Sequence, residues 1–220
     1  MPEHNNYSYS KYGKKWDERI YPGQYTTGGL LKCSNLSKGY HGILKQYWEY
    51  YNKGKDVLLI SENNVVRDEF KQLYPSWNIK TLDNYPEISS VKNDVDIVGD
   101  ICSRKKDWCV EKFDLIINQA TIEHVYDPFQ AMVNLTGALN TNGILVTHTH
   151  PPNQEYHQYP RDYFRFMIDW WIDLPNYVDD IELLEVCMKN NAHVFTCYRK
   201  LNTLKVNFLS GYTVINDKKN

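Results

Sequence analysis

Two short apolar runs that each end on polar residues constrain this chain more than any other feature. Val95-Asp96-Ile97-Val98-Gly99-Asp100 is followed by Phe113-Asp114-Leu115-Ile116-Ile117-Asn118-Gln119, which runs on into Ala120-Thr121-Ile122-Glu123-His124-Val125-Tyr126-Asp127-Pro128. Strands buried on both faces read as apolar runs of this kind. In an open α/β sheet, the polar residues at their carboxyl ends line the ligand crevice. Asp56-Val57-Leu58-Leu59-Ile60 has the same character, and Val65, Val66, Phe70 and Leu73 follow at helical spacing until Pro75. A βαβ unit therefore starts there. Residues 77–82, ending at Asp83, give a second strand, 95–98 a third and 113–117 a fourth. Asp127 is a predicted N-cap, with Pro128 at the first helical position. Residues 144–150 read as a fifth strand halted by Pro151-Pro152, and 181–188 with 193–198 read as an antiparallel hairpin around Lys189-Asn190-Asn191-Ala192.

With 220 residues the chain suits one domain with a substantial core. Residues 1–37, rich in Tyr, Gly and charge, are expected to form a cap or arm. Residues 38–200 form the core, opening with a helix on which Ile43, Leu44, Tyr47, Trp48 and Tyr51 recur at helical spacing, and 201–220 form a tail. The formal charge of −2 comes from 25 basic and 27 acidic side chains scattered among one another. No basic face argues for a nucleic-acid partner, and a small or locally recognised substrate is expected instead. The five cysteines contain no Cys-x-x-Cys pair and are odd in number, so they read as reduced thiols of a cytoplasmic protein. No signal peptide and no membrane span is expected.

The ordered pair of segments, a strand closing on Asp100 and then Asn118-Gln119 leading into Glu123-His124-Val125-Tyr126-Asp127-Pro128, resembles the class I S-adenosylmethionine-dependent methyltransferases. The resemblance covers most of residues 55–199. It implies an α/β fold: a three-layer α/β/α sandwich around a Rossmann-like, seven-stranded, mostly parallel sheet with a C-terminal antiparallel hairpin. It also implies S-adenosyl-L-methionine as cofactor, and transfer of its methyl group to oxygen or nitrogen of a small polar acceptor, with sugars or sugar nucleotides among the candidates. A catalytically inactive, methyltransferase-like binding or regulatory domain is the alternative. It is motivated by the loop after the first strand, where Ser61-Glu62-Asn63-Asn64 stands in place of the family's glycine-rich turn.

On this resemblance Ser61, Glu62 and Asn63 meet the methionine part of the cofactor, Glu62 facing its α-amino group. Asp83 accepts from the ribose hydroxyls, since one carboxylate can take both donors of a vicinal diol. Asp100 and the Ile101 amide serve the adenine, and Asn118 and Gln119 lie near the methyl donor. His124, His150 and His157 are the candidate catalytic bases, because imidazole titrates near neutrality. His148 and His150 sit two apart on a strand and so face one side. With His157 they have the chemistry of metal ligands, but no accompanying Cys or carboxylate spacing matches a metal motif, and no metal is expected. The tract His157-Gln158-Tyr159-Pro160-Arg161-Asp162-Tyr163-Phe164-Arg165-Phe166 is similar to the segment after strand five in small-molecule methyltransferases. Tyr159 and Arg161 are its candidate substrate contacts. Arg161 and Arg165 have the planar forks that grip an anionic acceptor; the competing reading is an Asp162–Arg165 pair on a helix.

Overall fold

The computed structural model describes residues 7–10, 54–84, 95–105, 112–152, 154–158, 161–189 and 193–202, with 7–10 and 187–189 described through their backbone. The expected helix within 38–52, the remainder of the arm, most of the tail, and Tyr159 lie outside them.

The strands form one sheet. β1 is Tyr7–Ser10, β2 Asp56–Ile60, β3 Asn78–Asp83, β4 Ile97–Val98, β5 Phe113–Gln119, β6 Leu139–Thr149, β7 Ile181–Lys189 and β8 His193–Lys200, and their spatial order is β1-β7-β8-β6-β5-β2-β3-β4. β6, β5, β2, β3 and β4 run parallel, while β8, β7 and β1 pair antiparallel beyond β6. The expected seven strands are present, and Tyr7–Ser10 extends the sheet by an eighth, pairing with β7 from Tyr7↔Met188 to Ser10↔Glu185. Part of the arm is thus an edge strand.

Local chemistry explains the helices. α1, Asn64–Leu73, starts where the Asn63 Oδ1 accepts from the amides of Val65 and Val66 at 2.9 and 3.2 Å, satisfying two donors that a helix start leaves open. Val66 and Phe70 pack one face of the sheet with Val57, Leu59, Ile79, Leu115 and Ile117. α2, Pro128–Gly137, is capped as its sequence predicts, the Asp127 Oδ1 accepting from the Gln130 amide at 3.0 Å. Ala131, Met132 and Leu135 of α2 cover the opposite face with Leu58, Ile60, Ile116 and Trp171. The helix after β2 and the helix after β5 therefore lie on opposite faces, which makes the β2/β5 boundary the topological switch point.

The tract before α3, Ile168–Asp173, departs from expectation. Asp162 and Arg165 do pair, but in irregular chain rather than on a helix. The amides of Tyr163 and Phe164 donate to the Glu123 carbonyl at 2.9 and 3.2 Å, and that of Phe166 to the His150 carbonyl at 3.4 Å. These amides are engaged across the site and cannot donate within a helical turn. β4 is also shorter than expected, because Asp96 turns to Thr81, its Oδ2 accepting from the Thr81 amide at 2.9 Å.

Candidate functional site

At the switch point β2 and β5 end side by side, Ile60 in register with Asn118. Each strand turns away through a non-glycine residue in the left-handed region: Ser61 at φ 55° and Ala120 at φ 45°. Both turns are held across the sheet, the Ser61 amide donating to the Leu82 carbonyl at 2.7 Å and the Ala120 amide to the His148 carbonyl at 2.8 Å. Such conformations cost on the order of 1 kcal/mol and are found where surrounding structure enforces them. The first loop thus makes its tight turn without glycine. Asn63 spends its side-chain oxygen on the α1 cap, which leaves Ser61 and Glu62 as the loop's outward groups.

Between these turns lies Asn118. Its side chain has no exposed surface, and neither its amide oxygen nor its nitrogen has a hydrogen-bond partner among the described residues. The adjoining Gln119 Oε1 is likewise buried without one. Burial pushes the Glu62 carboxyl up to about 8, with the nearby Asp83 adding to the shift. Asp83 is the last residue of β3. Asp100 is exposed, and its Oδ1 accepts from the Cys102 amide at 2.8 Å. The Ile101 side chain is in the core, and its carbonyl accepts from Asn134 Nδ2 at 2.8 Å, which ties the loop after β4 to α2.

The three nominated histidines converge on one carboxylate. Glu123, in the 3₁₀ turn Ile122–His124, is fully buried, and its Oε2 accepts from the Thr149 hydroxyl at 2.7 Å. Its Oε1 lies 3.7 Å from His150 Nε2 and 4.0 Å from His157 Nε2. The His124 and His157 rings meet edge to face at 4.9 Å, and those of His150 and His157 at 5.0 Å. His124 Nδ1 bonds the Arg161 carbonyl. Because a carbonyl only accepts, Nδ1 carries the proton and Nε2 the lone pair. Burial holds the His124 imidazolium below its usual range, so the ring is a neutral base at neutral pH. Burial also raises Glu123 to about 7, against the Thr149 bond and Arg165 that favour its charge.

Arg165 organises the loop over this cluster, donating to Asp162, to the carbonyl of Glu155 at 2.8 Å and to that of Gln154 at 3.3 Å. Burial would raise Asp162, but the Arg165 bonds and the His157 amide at 2.7 Å draw it down to about 2. Arg165 is a structural clasp in this geometry. Of the substrate candidates, Arg161 presents its carbonyl to His124, and Tyr159 lies outside the described residues.

Sequence reasoning had paired His148 with His150 but had given no role to Glu123, Thr149 or His193. His148 is buried and its Nε2 lies 2.9 Å from His193 Nδ1; burial, then His193 and His150, push its pKa well down. A glutamate after the apolar Ile122, followed at once by a histidine, was the available signal.

No protein-family model matches the sequence, and no curated protein matches it. Solved structures do. A SAM dependent methyltransferase from Archaeoglobus fulgidus aligns at TM-score 0.53 and 11% identity over 75% of this chain and 98% of its own. The N-methyltransferase NodS from Bradyrhizobium japonicum WM9 aligns at 0.52 and 14% over 76% and 97%. A putative sarcosine dimethylglycine methyltransferase from Galdieria sulphuraria aligns at 0.55 and 9% over 76% and 85%. The chain has the class I S-adenosylmethionine-dependent methyltransferase fold. At these identities the likeness establishes architecture, and the site must be argued from its own residues. Among the described residues no helix is long and apolar enough to cross a membrane.

Proposed function

We propose that this protein transfers the methyl group of S-adenosyl-L-methionine to oxygen or nitrogen of a small polar acceptor. One observation carries the reading: Asn118, at the switch point of a methyltransferase fold, buries an amide whose two polar atoms lack partners. A buried group in that state costs about 1–3 kcal/mol, and a ligand with donors and acceptors relieves it. The flanking groups fit the same ligand. Glu62 and Asp83 form an acidic pair suited to an ammonium and to ribose hydroxyls, and a bound cation would return Glu62 to its ionised form. The bound cofactor supplies a methyl group already activated on a sulfonium. The protein's part is to align the acceptor, exclude water and take up a proton. His124, with its lone pair on Nε2, and His150 and His157 beside Glu123 are the groups for that last task. Sugars and sugar nucleotides are the acceptor class to screen first.

A second reading, a methyltransferase-like domain without catalysis, is favoured by the glycine-free first loop, where the Ser61 and Glu62 side chains stand in the approach of the ligand's methionine portion. Calorimetric titration of the protein and of Asp83→Ala with S-adenosylmethionine and S-adenosylhomocysteine separates the two. One-site binding that weakens at least ~10-fold in the variant, the loss of about 1.4 kcal/mol, supports the first reading. Absence of binding by the unmodified protein at millimolar ligand refutes it.

A further inference from the structure

A fully buried carboxylate with an oxygen lacking a hydrogen bond, ringed by imidazoles, is a demanding thing for a sheet edge to assemble. Thr149 serves Glu123 Oε2, while Oε1 has no hydrogen-bond partner among the described residues. One ligand atom from each of Glu123, His124 and His157 lies within 4.8 Å of the others. We propose that Glu123, His124 and His157 form a binding site for a divalent transition metal of the zinc type, with a fourth position open to an exogenous oxygen or nitrogen.

The donor set matches that ion. Zinc takes histidine nitrogen and carboxylate oxygen at about 2.0–2.2 Å, and an open site uses three protein ligands. Ligand atoms around a tetrahedral ion at those lengths stand about 3.3 Å apart. The 4.0 Å from Glu123 Oε1 to His157 Nε2 therefore needs a contraction of less than ~1 Å.

The surroundings are those of metal ligands, whose second polar atom is normally held by an outer partner. The Arg161 carbonyl holds His124 Nδ1–H and leaves the lone pair on Nε2. His157 Nδ1 lies 3.3 Å from the Glu155 carbonyl and 3.1 Å from Arg165 Nη2. With Nε2 on a metal, Nδ1 keeps its proton and donates to Glu155, and Arg165 gives up His157 while keeping Asp162 and the loop carbonyls. Asp162 neutralises Arg165, so the guanidinium does not stand as an uncompensated cation beside the ion.

The other imidazole group, His148, His150 and His193, is a weaker candidate. His148 Nε2 and His193 Nδ1 already bond each other at 2.9 Å, and the set supplies no anion to offset a buried dication. The spacing in sequence concealed the better group, because Glu123 and His124 follow β5 whereas His157 arrives from the loop after β6 and is fixed there by Asp162.

The site stands without the methyl-transfer reading; with the ion bound, His124 and His157 are its ligands, and His150 is the group left to take up the acceptor's proton. The experiment takes the full chain stripped with chelator, dialysed against zinc without S-adenosylmethionine, and measures bound metal and the visible absorption of the cobalt-substituted form. The expected result is one zinc per chain, a tetrahedral cobalt spectrum, and affinity at least ~100-fold weaker in both Glu123→Gln and His157→Asn. His157 is half exposed, so its variant reports even where Glu123→Gln fails to fold. Fewer than ~0.1 zinc per chain, or binding by His157→Asn equal to that of the unmodified protein, overturns the proposal. Either failure leaves cofactor titration to judge methyl transfer separately.

Discussion

Replacing Asn118 by leucine should make this protein more stable and blind to its cofactor. The two side chains branch at the same atom with the same number of non-hydrogen atoms, so the substitution removes an unpartnered buried amide and leaves no cavity, offset in part by leucine's larger volume. Removing the desolvated, unsatisfied group should gain ~1–3 kcal/mol. For a chain of this length each kcal/mol moves the melting temperature by about 2–4 °C, giving a rise on the order of 5 °C. The assay is a pair of thermal melts, without ligand and with S-adenosylhomocysteine at about 100 times its Kd. The unmodified protein should gain ~2.7 kcal/mol from the ligand, whereas Asn118→Leu should gain nothing. Two results would refute the reasoning. A variant that melts lower means the amide has a stabilising partner, and one that still responds to ligand means Asn118 does not meet it.

Three further perturbations test other parts of the site. The folded Glu62 carboxyl titrates near 8 instead of 4.5, so the folded state holds the proton more tightly and stability should fall as pH rises from about 4.5 to about 8. Glu62→Gln should abolish that slope and be more stable at pH 8.5 by ~1–3 kcal/mol, after allowing for solvent around a half-buried group; identical pH profiles in urea titrations would sink this. Asp162 runs the other way: its lowered carboxyl adds stability above about pH 4 that disappears as pH falls through about 2. Metal-free Asp162→Asn should thus be ~1–2 kcal/mol less stable at pH 7 and equal at pH 2, and a gap unchanged by acid would contradict it. His150→Ala should keep the S-adenosylhomocysteine Kd within about twofold while lowering turnover of any identified acceptor ~100-fold; equal turnover removes His150 from the chemistry.

The fold was legible because its signals are local. Apolar runs marked β2, β3 and β5, Asp127-Pro128 marked the start of α2, and the turn between β7 and β8 marked the hairpin; each needs only neighbours in sequence. Tyr7–Ser10 was not legible as a strand, since its identity depends on meeting the open edge of β7 and not on its own period. The 161–167 tract misled for a related reason. Its spacing suits a helix, but the carbonyls of Glu123 and His150 compete for its amides and win.

The site divides along the same line. Ser61, Glu62, Asp83 and Asn118 follow directly from strand ends, so a reader of the sequence who finds the strands finds them too. The cluster at Glu123 requires three separate pieces of chain to meet: a 3₁₀ turn, the end of β6, and a loop whose shape is set by Asp162 and Arg165. Sequence named its histidines but not the carboxylate they surround, because burial is what turns Glu123 from an ordinary surface acid into the group that organises them. A glutamate at that position left in water would titrate near 4.5 and attract little; enclosed, it is raised to about 7 and keeps an oxygen in need of a partner. Whatever binds there must provide either a proton or a cation, and the nearby histidines are suited to both.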